Sequence, residues 1–459
     1  MSNFSRRRFL KTLGVTTASL AMPSFLTRGA VMPSETSKPN FVIVFSDDHG
    51  IDDSGCYGNT VVRTPNIDRL ASEGMRFTRA FTATAMCAPS RSMLYSGLYP
   101  HRNGAHPNHS EVRPGIMTLP HYMSQLGYRT ALAGKTHIKP RASFPFEYTG
   151  LDGVDEFLAE AGGQPFCLVI ATNDPHGPYK KAGPGEGYDP SKVKLPPYLV
   201  DTPETRKLMA AYYNSVTALD KQVGEHLALV DKHGLRGNTL FIYASDNGTG
   251  FPFAKWTLYD AGLNMPFIAR WPGRIKPGTV TEAMISFVDV LPTFMEAAGC
   301  EAPDELDGRS FLGVLEGKES RHRDFVFGTH TNKGIISGSE YPSRAIRTET
   351  HQYIRNLIPD GTFTNVVTHG MDHDETRAAG YWKSWLRLAE HDAFAAERVR
   401  MYQRRPAQEL YDLRSDPYEL KNIAGGPANR ELIRDLDGQL REWMEQQGDP
   451  ELGRMGPAL

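Results

Sequence analysis

The stretch Phe41-Val42-Ile43-Val44-Phe45-Ser46-Asp47-Asp48-His49 joins a short apolar run to a cluster of polar side chains. Five consecutive β-branched and aromatic residues are typical of a strand buried on both faces, as in parallel α/β sheets. The carboxylates follow directly, where open α/β sheets place their ligand sites. This stretch therefore predicts an α/β fold with a polar site at the carboxyl end of its first strand.

Further apolar runs predict more strands, at residues 130–133, 166–171, 239–244 and 266–270. Helical spacing of apolar residues is found between them, at 65–73, 119–126, 204–230 and 289–298. Such alternation favours an α/β sandwich around a mostly parallel sheet. We assign this first domain, which carries the polar site, to residues 38–320.

The pattern changes after about residue 320. Short predicted strands lie at 324–329, 344–347, 352–355 and 409–413, and a charged amphipathic helix is predicted at 429–446. We interpret residues 321–459 as a smaller C-terminal α+β subdomain.

Polar clusters also follow three of the other predicted strands. They are Gly134-Lys135-Thr136-His137, Asn173-Asp174-Pro175-His176 and Ser245-Asp246-Asn247-Gly248. Because ligand sites of open α/β sheets lie at the carboxyl ends of the strands, we expect these clusters to converge.

Two of the clusters carry adjacent oxygen ligands. Asp47 and Asp48 repel each other, and burial increases the repulsion unless a cation lies between them. Asp246 and Asn247 offer a second pair, and such oxygen ligands suit Ca²⁺ or Mg²⁺. Taken alone, either pair is more typical of a strand-end turn or a helix cap than of a metal site. Together they predict one cation site.

The segment Cys87-Ala88-Pro89-Ser90-Arg91 predicts a helix that begins beside Cys87. The free N–H groups and dipole of a helix start favour an anion at that point. The other reading is a buried thiol next to a helix start. The chain has four cysteines without a CxxC pair, so neither a disulfide framework nor a zinc site is indicated.

The composition is that of an ordinary globular protein, with 459 residues, 40% hydrophobic and 23% charged. The formal net charge of −2 gives no general attraction to polyanions, and nucleic acid is not an expected partner. An anionic substrate would need a local basic pocket.

Residues 1–32 are interpreted as a targeting segment. Arg6, Arg7 and Arg8 precede a mildly apolar stretch that is too short for a membrane span, so the mature chain is expected to have no integral membrane segment. A disordered basic tail is the alternative. The segment resembles a bacterial twin-arginine signal, which implies export to the periplasm.

Several motifs then resemble one family in consistent order. Cys87-x-Pro89-Ser90-Arg91 followed by Ser96-Gly97 resembles the hallmark of the formylglycine-dependent sulfatases, whose cysteine is oxidised to an aldehyde. Gly134-Lys135-x-His137 and Asp246-Asn247-Gly248 resemble two further motifs of that family, and Lys255 precedes Leu258-Tyr259-Asp260-Ala261-Gly262 as in sulfatases. The resemblance spans roughly residues 38–450 and implies an alkaline-phosphatase-like fold.

The resemblance also implies a role for each motif residue. A cation, Ca²⁺ or alternatively Mg²⁺, would be held by Asp47, Asp48, Asp246 and Asn247. Cys87, converted to formylglycine by a maturation enzyme, would supply the attacking oxygen as a gem-diol. Arg91 and Lys135 would stabilise negative charge. His137 would bind the second hydroxyl, and His176 and Lys255 would contact the sulfate and leaving group, with His176 as the proton donor.

Within the family, the chain resembles the N-sulfoglucosamine sulfohydrolases. That resemblance implies a sulfated saccharide substrate, with N-sulfoglucosamine first and an O-sulfated algal or host polysaccharide second. Lys255 is a departure, since that branch tends to carry arginine there. Polar residues expected near the mouth of the site are His106, His109, His330 and Arg344. Arg344 could equally pair with an acid inside the subdomain.

Two other functions stay open at this point. A phosphatase or phosphonate monoester hydrolase would share the fold, and a phosphate-versus-sulfate assay separates these activities. A non-catalytic protein that binds sulfated glycans would need no maturable cysteine, and the intact motif set argues against it.

Overall fold

The structure is a computed structural model that describes residues 38–456 except 181, 184 and 370–378. The predicted signal segment, residues 1–32, lies outside the described residues. Among the helices that are described, none is long and apolar enough to cross a membrane.

The described residues form fourteen strands and thirteen α-helices. The strands are β1 (Asn40–Asp47), β2 (Met75–Phe77), β3 (Ala80–Phe81), β4 (Arg129–Gly134), β5 (Glu147–Thr149), β6 (Phe166–Pro175), β7 (Thr239–Ser245), β8 (Phe267–Arg270), β9 (Thr279–Thr281), β10 (Ile285–Ser286), β11 (Phe325–His330), β12 (Ser343–Thr348), β13 (His351–Asn356) and β14 (Gln408–Asp412). The helices are α1 (Pro65–Glu73), α2 (Cys87–Ser96), α3 (Pro100–Asn103), α4 (Leu119–Gln125), α5 (Val154–Ala159), α6 (Pro203–Lys232), α7 (Asp260–Leu263), α8 (Val290–Ala297), α9 (Leu312–Leu315), α10 (Val366–His369), α11 (Ala379–Ala389), α12 (Ala393–Gln403) and α13 (Arg430–Gln446).

The central sheet has eight strands in the order β5-β4-β6-β1-β7-β8-β2-β9. Strands β5, β4, β6, β1 and β7 are parallel, which confirms the mostly parallel sheet. The predicted strand at 266–270 differs, because β8 runs antiparallel to β7. Within the connection between β7 and β8 the one α-helix is the four-residue α7, which is too short to return along the sheet as the crossover helix of a parallel pair usually does.

The sheet is covered on both faces, as its apolar strands predict. In β1, Phe41, Ile43 and Phe45 belong to one hydrophobic cluster, which includes residues of α2, α4, α8 and α13. Val42 and Val44 belong to the opposite cluster, with residues of α1, α5 and α6. The result is a helix–sheet–helix sandwich in which β1 is buried throughout.

The predicted C-terminal strands form an antiparallel sheet in the order β11-β12-β13-β14. Ile346, Tyr353 and Leu410 pack in the same cluster as α13, while Ala345 and Ile354 lie in a second cluster on the other face. The C-terminal sheet is therefore buried on both sides, and its core is continuous with that of the central sheet. The boundary at residue 320 stays a prediction.

Two local features place site residues at the carboxyl edge of the central sheet. Gly134 ends β4 with φ +85°, and a Cβ atom there would lie 2.4 Å from the carbonyl oxygen of Ala171 on β6. Only glycine tolerates this position, and Lys135 follows it at once. Helix α2 begins at Cys87, as predicted, and every one of its residues is buried.

Candidate active site

A cavity of about 380 Å³ opens at the carboxyl edge of the central sheet. Seven of the residues singled out from the sequence line it: Asp48, Cys87, His109, Lys135, His137, His176 and Lys255. Five of them follow β1, β4, β6 or β7, Cys87 begins α2, and His109 follows α3. The expected convergence of the polar clusters is therefore observed.

Cys87 lies on the floor of this cavity, between carboxylates. Its Sγ atom is 3.2 Å from Oδ1 of Asp47 and 3.8 Å from Oδ1 of Asp48. Burial, and then the charge of Asp47, raise the pKa of the Cys87 thiol well above its ordinary value. Unmodified Cys87 is therefore a neutral thiol and a poor nucleophile at neutral pH.

Two lysines bring positive charge to the same point. Nζ of Lys255 donates to Oδ1 and Oδ2 of Asp48, at 2.6 and 2.8 Å, and lies 3.1 Å from Sγ of Cys87. Nζ of Lys135 donates to Asp47. Burial disfavours the charge of Lys255, but the neighbouring acidic groups, Asp48 foremost, together outweigh burial and raise the pKa of the ammonium well above its ordinary value.

Arg91 lies one helical turn after Cys87, on the same face of α2. Its Nε and Nη2 atoms donate to Oδ2 of Asp246 at 2.9 and 2.8 Å, and both side chains are fully buried. The guanidinium is thereby fixed beneath the cavity floor, and its charge is balanced by a carboxylate that follows β7.

The residues predicted to hold a cation are brought together. One ligand atom from each of Asp47, Asp48, Asp246 and Cys87 lies within 4.8 Å of the others. Burial and the charge of Asp48 oppose ionisation of Asp47, but Lys135, Lys255 and Arg91 outweigh them and hold its pKa below the ordinary value. Oδ1 of Asn247 is buried and has no hydrogen-bond partner among the described residues. Three ionised or ionisable carboxylates and a spare amide oxygen fit a hard divalent cation.

His137 and His109 form a pair on one wall of the cavity. Nε2 of His137 is 2.7 Å from Nδ1 of His109. Burial, and then the charge of Lys135, lower the pKa of His137 to about 3, so its ring is neutral at physiological pH. His109, which was expected near the mouth, does line the cavity.

His176 is the most accessible of the candidate catalytic groups. Its side chain is 42% exposed, and Nε2 lies 3.7 Å from Oδ2 of Asp48. Nδ1 is 2.5 Å from the carbonyl oxygen of Gly177, which assigns the proton to Nδ1 in the neutral ring.

Three residues expected at the mouth are placed elsewhere. Arg344 is fully buried on β12, where Nη2 donates to Asp449 at 2.8 Å. His330 is 1% exposed at the end of β11, and His106 stacks on His101 with 4.7 Å between ring centroids. None of the three is among the residues that line the cavity. Because the C-terminal sheet is covered on both faces, the side chain of Arg344 on β12 pairs with an internal acid and is not part of the cavity wall. The expectation that Arg344, His330 and His106 lie at the mouth is therefore corrected.

Apolar residues form much of the cavity wall, and these were missed from the sequence. They include Trp256, Tyr179, Ile335, Ile336 and Val366. Trp256 adjoins Lys255, and this adjacency was the available signal. Ile335 and Ile336 come from the connection between β11 and β12, which has no periodic pattern and gave no signal.

Strained backbone is concentrated around the cavity. Among the described non-glycine residues with positive φ, Asp48 (68°), His109 (61°), His137 (46°) and Trp256 (65°) all line it. Such conformations persist only where the surrounding structure enforces them, and they cluster at active sites and ligand clamps.

Comparison with known proteins agrees with this geometry. The profile of the sulfatase family matches residues 39–150 and 149–300, and a profile described as N-sulphoglucosamine sulphohydrolase, C-terminal, matches residues 249–378. An ulvan-active sulfatase of Formosa agariphila is 37% identical, covering 90% of this chain and 81% of that protein. The human N-sulphoglucosamine sulphohydrolase is 30% identical, covering 90% and 91%.

A solved structure of a protein in complex with its substrate D-glucosamine-2-N,6-O-disulfate superposes with a TM-score of 0.69, at 21% identity, covering 90% of this chain and 99% of that one. The fold is accordingly alkaline-phosphatase-like. Because the family profile covers more than half of the chain and both relatives reach 30% identity, the chain belongs to the sulfatase family and is a sulfuric ester hydrolase.

Proposed function

We propose that this protein removes a sulfate group from a sulfated saccharide, with residue 87 acting as formylglycine. The observation that carries the proposal is the position of Cys87, whose Sγ contacts Asp47 and Lys255 in the cavity floor. In this reading, Sγ stands where a hydroxyl oxygen of the hydrated aldehyde would lie.

The chemistry follows from these contacts. One hydroxyl group of the hydrate releases its proton to solvent as its oxygen attacks sulfur. The bond from sulfur to the sugar oxygen or nitrogen breaks, and the leaving group takes up a proton from His176. The second hydroxyl then loses its proton, the aldehyde carbonyl re-forms, and the C–O bond to sulfate breaks. Addition of water restores the hydrate. Lys135 and Lys255 neutralise charge on the transferred group, and Arg91 adds to the local positive field.

A divalent cation would be held by Asp47, Asp48, Asp246 and Asn247, on the fit described above. When bound, it would supply Lewis-acid polarisation of the reacting oxygens. All four ligands are hard oxygens, which suits either Ca²⁺ or Mg²⁺, and Ca²⁺ is the cation proposed first.

His176 is the proposed proton donor to the leaving group, from Nε2 of its imidazolium form, and His137 is the residue that accepts the proton of the second hydroxyl. The neutral state of His137 supports its role, since a neutral imidazole has a free lone pair. The exposure of His176 at the cavity mouth supports its role, because the departing sugar must lie there.

The proposed substrates are N-sulfoglucosamine first and an O-sulfated polysaccharide of algal or host origin second. The match of residues 249–378 to the C-terminal sulphohydrolase profile favours the N-sulfate. The 37% identity to an ulvan-active sulfatase and the presence of Lys255 favour an O-sulfate ester. The substrates can be ranked by measuring the rate of sulfate release side by side. The panel is N-sulfoglucosamine, 6-O-sulfated sugars, 3-O-sulfated sugars and ulvan. Activity on O-sulfates alone would exclude the N-sulfate while leaving the sulfatase reaction intact.

The test of the nucleophile uses mass spectrometry and turnover together. Protein coexpressed with a formylglycine-generating enzyme should show an aldehyde at residue 87, and Cys87→Ala should remain folded with almost no turnover. Cys300→Ser is the matched control, since that thiol is half-buried and does not line the cavity. Turnover of Cys87→Ala within tenfold of wild type would rule the mechanism out.

Export through the twin-arginine route belongs to the same proposal. Replacing Arg6, Arg7 and Arg8 by lysine should retain the protein in the cytoplasm. Unchanged delivery to the periplasm would indicate a general secretory signal.

A further inference from the structure

A second cavity, of about 470 Å³, lies against β14 and the end of α12. We call it the basic cavity after the four cationic side chains in its wall: Arg400, Arg404, Arg405 and Lys421. It shares no lining residue with the active-site cavity.

Arg405 is the unusual member of this group, because its guanidinium is buried and has no carboxylate partner within the described part of the chain. The residue is 3% exposed, and the hydrogen bond given to its guanidinium runs from Nε to the carbonyl oxygen of Tyr402 at 3.3 Å. Nη2 is buried and has no partner among the described residues. A buried charge left without a counter-ion is strongly destabilising, so this arrangement calls for an anion.

Aromatic rings surround the guanidinium and offset part of that cost. Its Cζ atom lies 4.0 Å from the ring centroid of Phe363 and 5.6 Å from those of Tyr259 and Tyr402. Cation–π attraction stabilises the charge, but the rings do not provide an acceptor for Nη2. Arg405 is therefore held in the wall with a hydrogen-bond donor, Nη2, that has no acceptor among the described residues.

The carboxylates in the wall are already engaged by other groups. Glu409 accepts hydrogen bonds from Asn356, Tyr259 and Tyr411, at 2.6, 2.8 and 2.6 Å. Glu397 pairs with Arg400 at 3.2 Å. Two acids thus face four bases, and the basic cavity keeps a net positive charge in a chain whose formal charge is −2.

We propose that the basic cavity is a second anion-binding site, which holds a sulfate or carboxylate group of a saccharide chain away from the sulfate that reacts. The inference rests on the proposed function, which supplies an anionic saccharide as ligand. Arg405 provides the fixed donor at the wall, and the exposed side chains of Arg404 and Lys421 add flexible charge at the rim. The site predicts a preference for long anionic chains over small sulfate esters.

The test uses the double variant Arg404→Gln/Lys421→Gln, because replacing buried Arg405 could unfold the protein. The matched control is Arg321→Gln/Lys318→Gln, which removes the same charge from side chains that are 74% and 73% exposed and lie outside the basic cavity. Binding of heparin and of ulvan is measured by affinity electrophoresis in a Cys87→Ala background, so that turnover plays no part.

We expect the Arg404/Lys421 variant to bind at least one of these glycans about threefold to tenfold more weakly than the control pair does. With Cys87 intact, its KM for a small aryl sulfate should stay within twofold of wild type while its KM for the polymer rises. Equal glycan binding by the two double variants overturns the proposal. A loss confined to inorganic sulfate, measured by calorimetry, overturns the saccharide assignment.

Failure of the proposed function has a different signature. In that case the matured wild-type chain releases no sulfate from any sugar, whatever the binding assay gives.

Discussion

Arg344 offers the sharpest separation between a substrate-binding role and a structural one. Its side chain is fully buried and makes four hydrogen bonds: Nε and Nη2 to Asp449, and Nη1 to the carbonyl oxygens of His330 and Ser343 at 2.9 and 2.8 Å. Arg344→Met keeps the length of the side chain and removes all four donors. Asp449 would then remain as a buried carboxylate without its cation.

Breaking a buried pair from one side destabilises a protein by about 3–5 kcal/mol. Because Asp449 and Arg344 are both 0% exposed in their side chains, no discount for solvent screening applies. The double variant Arg344→Met/Asp449→Leu should recover most of that loss, since it leaves no charge unpaired. Arg414→Met is the control, because Arg414 pairs with Asp412 at the surface with 65% of its side chain exposed. Its loss should leave the free energy of unfolding nearly unchanged, since water screens the pair.

The pH dependence follows from Asp449. Burial opposes its ionisation, but the hydrogen bonds and charge of Arg344 outweigh burial and lower the pKa below 3.8. The stability that the pair contributes is therefore present above pH 3.8 and is lost as the pH falls below it. The difference in the free energy of unfolding between wild type and Arg344→Met should be largest at pH 7 and should become smaller below pH 3.8.

The assay is urea unfolding at pH 7 and at about pH 3, which lies below the ordinary pKa of Asp449, followed by circular dichroism. It is combined with KM for an aryl sulfate at a temperature where both proteins are folded. We expect lower stability with an unchanged KM. Wild-type stability combined with a raised KM would refute the structural role and restore Arg344 to the substrate site.

Three further predictions concern the active site and the core. His176→Ala should lose far more rate on a saccharide sulfate than on an activated aryl sulfate, because only the poorer leaving group needs a proton; equal losses would mean that His176 only positions the sulfate. Removal of divalent cations by chelation should lower the melting temperature, and added Ca²⁺ should restore it in wild type but much less in Asn247→Leu. At a Ca²⁺ concentration 100 times Kd, binding stabilises the folded state by about 2.7 kcal/mol. A melting temperature that does not respond to Ca²⁺ would contradict the site. Burial lowers the pKa of His226 from 6.5 to about 4, so the unfolded chain takes up the proton first and the native state loses stability as the pH falls from 6.5 towards 4. In thermal unfolding, His226→Gln should make the melting temperature less dependent on pH over this range. An unchanged pH dependence would argue against a buried neutral imidazole.

Local sequence was sufficient for the elements that make the active site. A strand buried on both faces must be apolar along its whole length, so β1, β4, β6 and β7 are visible as uninterrupted runs. The polar residues that follow them stand out by contrast, and the chain direction puts them at one edge of a parallel sheet. This is why Asp47, Lys135, His176 and Asp246 could be grouped without any coordinates.

The tertiary structure decided which polar residues face the cavity and which face the core. His109 and Arg344 carry similar weight as sequence features, yet one lines the active site and the other is buried against Asp449. The difference arises because both faces of the C-terminal sheet are covered, a property of packing between distant segments that no local pattern encodes. The antiparallel direction of β8 depends in the same way on contacts between residues far apart in the chain. So does the burial of Arg405, whose Nη2 atom has no partner among the residues that the structure describes. Sequence thus determined the chemistry available at the strand ends, and packing determined how that chemistry is divided between catalysis, stability and a second anion site.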